Sequence, residues 1–210
     1  MGICTACLNE FYHEINVCPV CANYTPHGAL CGHCQHSPPF YDALFVSFEL
    51  NEILLNLIHA FKYQRQLQLS GILEALMVYQ TPHFDLNQID YIVSVPISRQ
   101  HLWQRGFNQS HLLAQKVSRI YQKTLLSEKV FTRQSKPSQA TLKYKERQKN
   151  VKNVFMWQAE QSLKDKTVLV IDDIATTGAT LNELARCLKK QGAKYVYGWA
   201  LAKRSRLDDF

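Results

Sequence analysis

TVLVIDDIATTGATL, residues 167–181, decides how this chain is read. It opens as a short, continuously apolar run, the pattern of a strand buried on both faces of a parallel sheet. Asp172 and Asp173 close that run, and Ala175, Thr176, Thr177, Gly178, Ala179 and Thr180 follow almost at once. Leu181, Leu184, Ala185 and Leu188 then recur on one face of a helix expected over 180–192, with Gly192 as its stop.

In open parallel sheets ligands bind beyond the carboxyl ends of the strands, so this order of strand, acids, turn and helix describes a binding corner. The helix start offers free backbone N–H groups and the positive end of its dipole, both suited to an anion. Small side chains let a phosphate approach the backbone, and threonine hydroxyls add donors. Acceptors for sugar hydroxyls thus stand beside a phosphate cradle, and a phosphorylated ribose fits both. A Walker B strand also ends in acids, but no GxxxxGK[ST] is present, and the GxGxxG of a dinucleotide-binding turn is absent as well. A helix cap accounts for one of these residues, not for the whole string.

Working outward, KYVYGWALA (194–202) reads as the next strand. IDYIVSVP (89–96) is a β-branched strand ended by Pro96, and HLLAQKVSRIYQ (111–122) is helical, with the loop ISRQHLWQRGFNQS between them. That loop leaves the same sheet edge as the acids. Its Ser98, Arg99, Arg105 and Gly106 are placed to grip a pyrophosphate, because guanidinium forks bind phosphate oxygens bidentately. Asn108 and Gln109 also suit a plain helix cap. Earlier, ALFVSFEL (43–50) is strand-like, and 49–64 is an amphipathic helix with Ile53, Leu54, Leu57, Ile58 and Phe61 toward the core. Lys62 and Arg65 fall near its C-terminus, where the dipole favours cations. A further helix is expected over 69–80. Strands alternating with helices predict an α/β fold, a parallel sheet flanked by helices.

Six of the seven cysteines lie in the first 34 residues as three pairs, Cys4/Cys7, Cys18/Cys21 and Cys31/Cys34. A two-residue gap puts both thiolates on one side of a tight turn, and two such knuckles complete a tetrahedral zinc shell. The compact spacing of CPVC and CGHC, with Pro26 and Gly28 to turn the hairpin, assigns Zn2+ to Cys18, Cys21, Cys31 and Cys34. Cys4 and Cys7 are the second-choice pair: they swap in for one knuckle or recruit a histidine such as His13. Cys187, alone on a predicted helix, reads as core. With little apolar surface the knuckle should depend on its metal, so loss of Cys18 is expected to unfold the knuckle and leave the sheet intact. SPPF (37–40) is the linker, which divides the chain into a cysteine-rich 1–38 and a larger 39–210.

At 210 residues the chain is long enough for one substantial core plus an appendage. No stretch approaches the ~18 apolar residues of a membrane span, and the start lacks the features of a secretory signal, so a cytoplasmic location is expected. The net charge of +7 is local: residues 1–90 hold only Lys62 and Arg65 against eight acids, whereas 91–153 hold thirteen Lys and Arg against Glu128 and Glu146. Such a patch suits phosphates, on a small ligand or on nucleic acid.

VLVIDDIATTGATL resembles the phosphoribosyl pyrophosphate signature of type I phosphoribosyltransferases. That resemblance implies that Asp172 and Asp173, as the catalytic pair, hold the ribose hydroxyls and that Ala175 to Thr180 hold the 5'-phosphate, with Mg2+ accompanying the ligand. VPISRQHLWQRGFNQSHLLA (95–114) and LKYKERQKNVKNVF (142–155) resemble two further segments of one branch, the ComF family associated with DNA uptake in competent bacteria. The resemblance implies a phosphoribosyltransferase-like sheet with a small N-terminal zinc ribbon. It also implies a hood that closes over the substrate, carrying Arg147 with Lys143, Lys145 and Lys149. Family members commonly begin with four cysteine knuckles, and this chain looks as if it lacks the first, which leaves Cys4 and Cys7 unpartnered.

The function expected on this basis is a ComF-like role in handling incoming single-stranded DNA during transformation, with a phosphoribosyl pyrophosphate-binding domain and other DNA-uptake proteins docking on the ribbon. Catalysis would displace pyrophosphate at C1 of the ribose through an oxocarbenium-like state, with Mg2+ and arginines stabilising the leaving group. The alternatives are a nucleobase phosphoribosyltransferase of salvage, or a single-stranded nucleic-acid-binding adaptor with a vestigial pocket. The adaptor would use Trp103, Phe107, Tyr121, Phe131 and Tyr144 for base stacking.

Overall fold

A computed structural model describes residues 3, 8, 10–11, 16–64, 66–133 and 153–204. Five strands form a wholly parallel sheet: β1 (Ala43–Glu49), β2 (Tyr91–Ser94), β3 (Thr124–Leu125), β6 (Thr167–Ala175) and β7 (Tyr195–Lys203), in the order β1-β7-β6-β2-β3. A separate antiparallel ribbon pairs β4 (Phe131–Arg133) with β5 (Phe155–Trp157). The helices are α1 (Gly32–His36), α2 (Glu52–Tyr63), α3 (Ser70–Met77), α4 (Arg99–Arg105), α5 (Gln109–Tyr121) and α6 (Ala179–Lys190).

The continuously apolar reading of β6 is correct because both of its faces are covered. Val168 and Val170 pack with Leu44, Val93, Leu181, Leu184 and Leu188, while Leu169 and Ile171 pack with Phe45, Ile58, Leu113, Val117 and Trp199. Gly198 on β7 sets how closely α6 approaches, since a Cβ there would lie 2.4 Å from Leu181 Cδ2. From β2 the chain crosses to β3 on one side, and from β6 it crosses to β7 on the other, so connections diverge between β2 and β6. That divergence opens a crevice at the carboxyl ends of these two strands.

Several boundaries differ from expectation. β6 does not end at the acids but continues to Ala175, because β7 goes on pairing with it through Ala175↔Lys203. The turn proper is therefore Thr176–Gly178, and Ala179 and Thr180 open α6. The stretch expected as a loop after Pro96 contains α4, which Ser98 caps by accepting from His101 N at 3.3 Å and Gly106 ends at φ 81°. On α2, Leu54, Ile58 and Phe61 are buried as expected, but Ile53 is 49% exposed because it lies off the packed stripe. Of the proposed stacking aromatics, Phe131 is buried, Phe107 packs on Phe61 at 4.9 Å and Tyr121 lies against Trp199 at 6.0 Å. Trp103 alone among those described is fully presented, at 86% exposure, and Tyr144 lies outside the described residues. Cys187 is buried, as read.

Candidate functional site

The site is built at the crevice between β6 and β2. Register pairs Ser94, the last residue of β2, with Ile171, so the chain leaving β2 departs beside Asp172. Asp172 Oδ1 accepts from Ser110 Oγ at 3.0 Å and from the Asp173 backbone N–H at 2.9 Å. Asp173 is almost wholly buried and forms an ion pair with Lys62, reaching in from the last turn of α2. The two adjacent carboxyls behave oppositely. Burial, reinforced by the neighbouring Asp173 charge, pushes Asp172 up to about 7. Burial acts on Asp173 too, but the Lys62 ammonium and hydrogen bonds from Lys62, Asp172 and Gln109 outweigh it and hold that carboxyl below its ordinary value. Lys62 was placed by sequence at a helix end for the dipole; the tertiary structure gives it a carboxylate instead.

The turn after β6 is shaped for close approach. Gly178 has φ +73°, a conformation that favours glycine, and a Cβ on it would stand 3.1 Å from Tyr41 Oη, which would have to shift by a few tenths of an ångström. Thr177 Oγ1 accepts from Ala179 N at 3.2 Å, and Lys203 Nζ donates to Thr176 O at 3.0 Å. These contacts hold Thr176 to Thr180 as a compact turn at the head of α6.

The predicted pyrophosphate residues divide. Arg105 donates to Gln109 Oε1 at 3.1 Å and to Tyr63 Oη at 3.2 Å, which ties it through Gln109 to Asp173. Arg99 is exposed at the start of α4, and Ser98 is buried with its hydroxyl 3.1 Å from His101 Nδ1, engaged in the cap. Asn108 caps α5 and also donates to Val95 O at 3.1 Å, so the plain cap reading holds for it. Arg147, Lys143, Lys145 and Lys149 lie outside the described residues.

Sequence reasoning missed two cations, Lys62 and Arg133. Arg133, on β4, donates to Pro96 O at 3.1 Å; burial lowers its proton affinity, the Asp172 charge raises it and Arg105 lowers it further. A signal for Lys62 did exist, in its near isolation among the first ninety residues.

At the other end, the four sulfur atoms of Cys18, Cys21, Cys31 and Cys34 lie within 4.8 Å of one another, and Cys21 Sγ is 3.6 Å from Cys31 Sγ. A tetrahedral S4 shell with metal–sulfur bonds of about 2.3 Å requires edges of about 3.8 Å, so the quartet fits a metal ion such as zinc. Backbone N–H groups of Cys31 and Cys34 point at Cys18 Sγ and Cys31 Sγ, each at 3.4 Å, as they would toward thiolates. Cys4, Cys7 and His13 lie outside the described residues. This knuckle is not detached: Leu44 N donates to Val20 O at 2.8 Å, and Cys18, Cys21 and Cys34 share a core with Tyr41, Leu44 and Leu181. Tyr41 thus touches both the cysteine cluster and the Gly178 turn. Among the described residues no helix is long and apolar enough to cross a membrane.

Comparison with known proteins agrees with this geometry. Residues 112–206 match the phosphoribosyl transferase domain family, a segment that includes the acid pair and its turn. The DNA utilization protein YhgH of Escherichia coli K12 is 33% identical over 207 residues, spanning 96% of this chain and 90% of that protein. Competence protein F of Haemophilus influenzae is 29% identical over 96% of this chain and 90% of its own length. Competence protein ComFC of Bacillus subtilis is 25% identical over 90% of this chain and 79% of its own. Sheet, acid pair, turn and cysteine quartet together with these relatives show that the chain belongs to the ComF family, with a phosphoribosyltransferase-like domain.

Proposed function

We propose that this protein binds phosphoribosyl pyrophosphate with Mg2+ at the carboxyl end of β6 and serves in handling incoming single-stranded DNA during natural transformation, in the cytoplasm. The observation that carries the ligand is the direct succession of Asp172 and Asp173, the Thr176–Gly178 turn and the N-terminus of α6, at the crevice where the sheet connections diverge. The names of the relatives, DNA utilization and competence, support the setting.

In this reading Asp172 and Asp173 accept from the ribose hydroxyls, the Ala175–Thr180 turn receives the 5'-phosphate, and Arg105 and Arg133 face the pyrophosphate. Mg2+, bound chiefly through the ligand's own phosphates, supplies charge neutralisation of the leaving group. Zn2+ held by Cys18, Cys21, Cys31 and Cys34 is structural. Should transfer occur, the acid pair holds the ring while the arginines take up charge on departing pyrophosphate.

Isothermal calorimetry with phosphoribosyl pyrophosphate and Mg2+ tests the ligand, and a flat trace from folded protein eliminates it. Affinity should also strengthen between pH 6 and pH 8. Asp172, raised to about 7, holds a proton below that pH and is an acceptor above it. One proton accounts for at most about tenfold per pH unit. Asp172→Asn, measured beside wild type to remove the ligand's own titration, should lose this component. In the unliganded protein the same raised value favours folding below the unfolded carboxyl's range, and that contribution is lost as pH rises through about 7.

Trp103 favours a second contact. It stands exposed on α4 one turn after the exposed Arg99, so a base can stack on it while the Arg99 guanidinium meets the backbone. Trp103→Ala should weaken single-stranded DNA binding about fivefold or more without altering the sugar isotherm, and wild-type binding should fall steeply with salt. Indifference to both changes argues against this face.

A further inference from the structure

The last turn of α2 approaches the acid pair from a part of the chain that the family signature does not include. Its apolar stripe, Leu54, Ile58 and Phe61, is buried, and Phe61 meets Phe107 from the segment leading into α5. This packing fixes the helix end so that Lys62 and Tyr63 reach two different parts of the site. Lys62 pairs with Asp173, both side chains being nearly buried, at 12% and 8% exposure. Tyr63 accepts from Arg105 at 3.2 Å through its hydroxyl and lies under the guanidinium, 4.8 Å from ring centroid to Cζ.

A buried ion pair is poor evidence for stability, because desolvating both groups offsets most of their attraction. Replacing both partners by apolar groups would cost the fold little, whereas removing the lysine alone would leave Asp173 nearly buried without its counter-ion. What the lysine does supply is a fixed cation 111 positions away in sequence (173 − 62) from the carboxylate it orients. Two acids side by side in a dry corner ionise together only at raised pH, and a nearby cation removes that penalty.

We propose that Lys62 is a positioning residue of the sugar site: it holds Asp173 as a fixed, charged acceptor for a ribose hydroxyl, and does not itself grip the ligand. This rests on the reading of the site as a phosphoribose pocket. Asp172 on β6, Lys62 on α2 and Gln109 on α5 act on Asp173 directly, while Ser110 on α5 and Arg133 on β4 act on Asp172 and Arg105 on α4 donates to Gln109. Of these, Lys62 alone makes an ion pair with Asp173 among the described residues.

The test is calorimetry of phosphoribosyl pyrophosphate with Mg2+ on wild type, Lys62→Met and Lys62→Arg at pH 6.5, 7.5 and 8.5. Lys62→Met should bind about tenfold or more weakly at pH 7.5, as expected for loss of one charged acceptor. Its deficit should shrink as pH rises and Asp173 regains its charge, and Lys62→Arg should stay near wild type. A deficit independent of pH would mean that lysine touches the ligand or merely supports the fold, and equal or tighter binding would mean that it only plugs the empty pocket; either overturns the proposal. Carboxyl-carbon NMR titration of the unliganded proteins supplies a readout that does not depend on the sugar. The Asp173 resonance should titrate at higher pH in Lys62→Met than in wild type, and coincident curves would overturn the proposal. A flat wild-type isotherm with a shifted Asp173 titration would instead remove the ligand reading and leave the Lys62–Asp173 linkage standing. Lys62→Met/Asp173→Asn, which buries no unpaired charge, should fold like wild type and keep a binding deficit against wild type that does not shrink toward pH 8.5.

Discussion

Asp172→Ala/Asp173→Ala protein is expected to give no measurable heat with phosphoribosyl pyrophosphate and Mg2+ under conditions where wild type gives a full isotherm. Each charge-assisted hydrogen bond to a hydroxyl contributes about 1.5–3 kcal/mol. Losing two therefore costs about 3–6 kcal/mol, roughly a hundred- to ten-thousandfold in affinity. The double variant also strands Lys62 in a nearly buried position without its counter-ion, which by itself can cost about 3–5 kcal/mol of stability. Silence in the titration must therefore be separated from unfolding. Adding Lys62→Met removes the stranded cation, so the triple variant should melt closer to wild type and still bind nothing. A triple variant that retains wild-type affinity would show that the ligand sits elsewhere.

Removing metal from the cysteine quartet should destabilise far more than the knuckle. As an isolated appendage it would be expected to unfold alone on loss of Cys18. The structure adds a consequence to that expectation: Cys18, Cys21 and Cys34 are buried in the same apolar cluster as Tyr41, Leu44 and Leu181, and Leu44 N donates to Val20 O, so loss of the knuckle also uncovers part of the sheet's own core. Among the described residues the knuckle's own backbone bonds are those of the Val17–Tyr24 bridge, short turns and α1, so a cation at the quartet is what joins its two halves. Losing about 3 kcal/mol of packing would lower the melting temperature by roughly 6–12 °C for a chain of this size. Chelated and zinc-loaded protein compared by calorimetric melting, with zinc counted by native mass spectrometry, checks this. Identical melting of the two forms would sink the structural role. Because Tyr41 also abuts Gly178, chelation should weaken sugar binding as well.

The contrast between β6 and α2 explains what was legible. β6, its turn and α6 are contiguous, and their meaning lies in local order: an apolar run, acids, small residues, then helical periodicity. Each of those features acts within a few residues, so the parallel sheet, the acid-and-turn corner and the cysteine quartet could be written down from the chain alone. Even there, the strand's true end at Ala175 was set by pairing with β7, which no local pattern encodes. The helix α4 was hidden because RQHLWQR has no clean apolar stripe, and none of its residues is buried.

Only folding could decide which cations serve the acids. Residue types state that Lys62, Arg105 and Arg133 are charged, but they do not state direction, and the partners are brought together across long separations, as Ser110 and Asp172 are across 62 positions. Charge pairing in a dry crevice depends on distance and burial, both products of how α2, α5 and β4 pack against β6. The sequence by itself determined that this chain builds an apolar strand ending in two acids before a small-residue turn and helix, and a quartet of cysteines spaced to fit a metal ion. The tertiary structure decided that Lys62 neutralises Asp173, that Asp172 is left to titrate near neutrality, and that Tyr41 joins the knuckle to the turn.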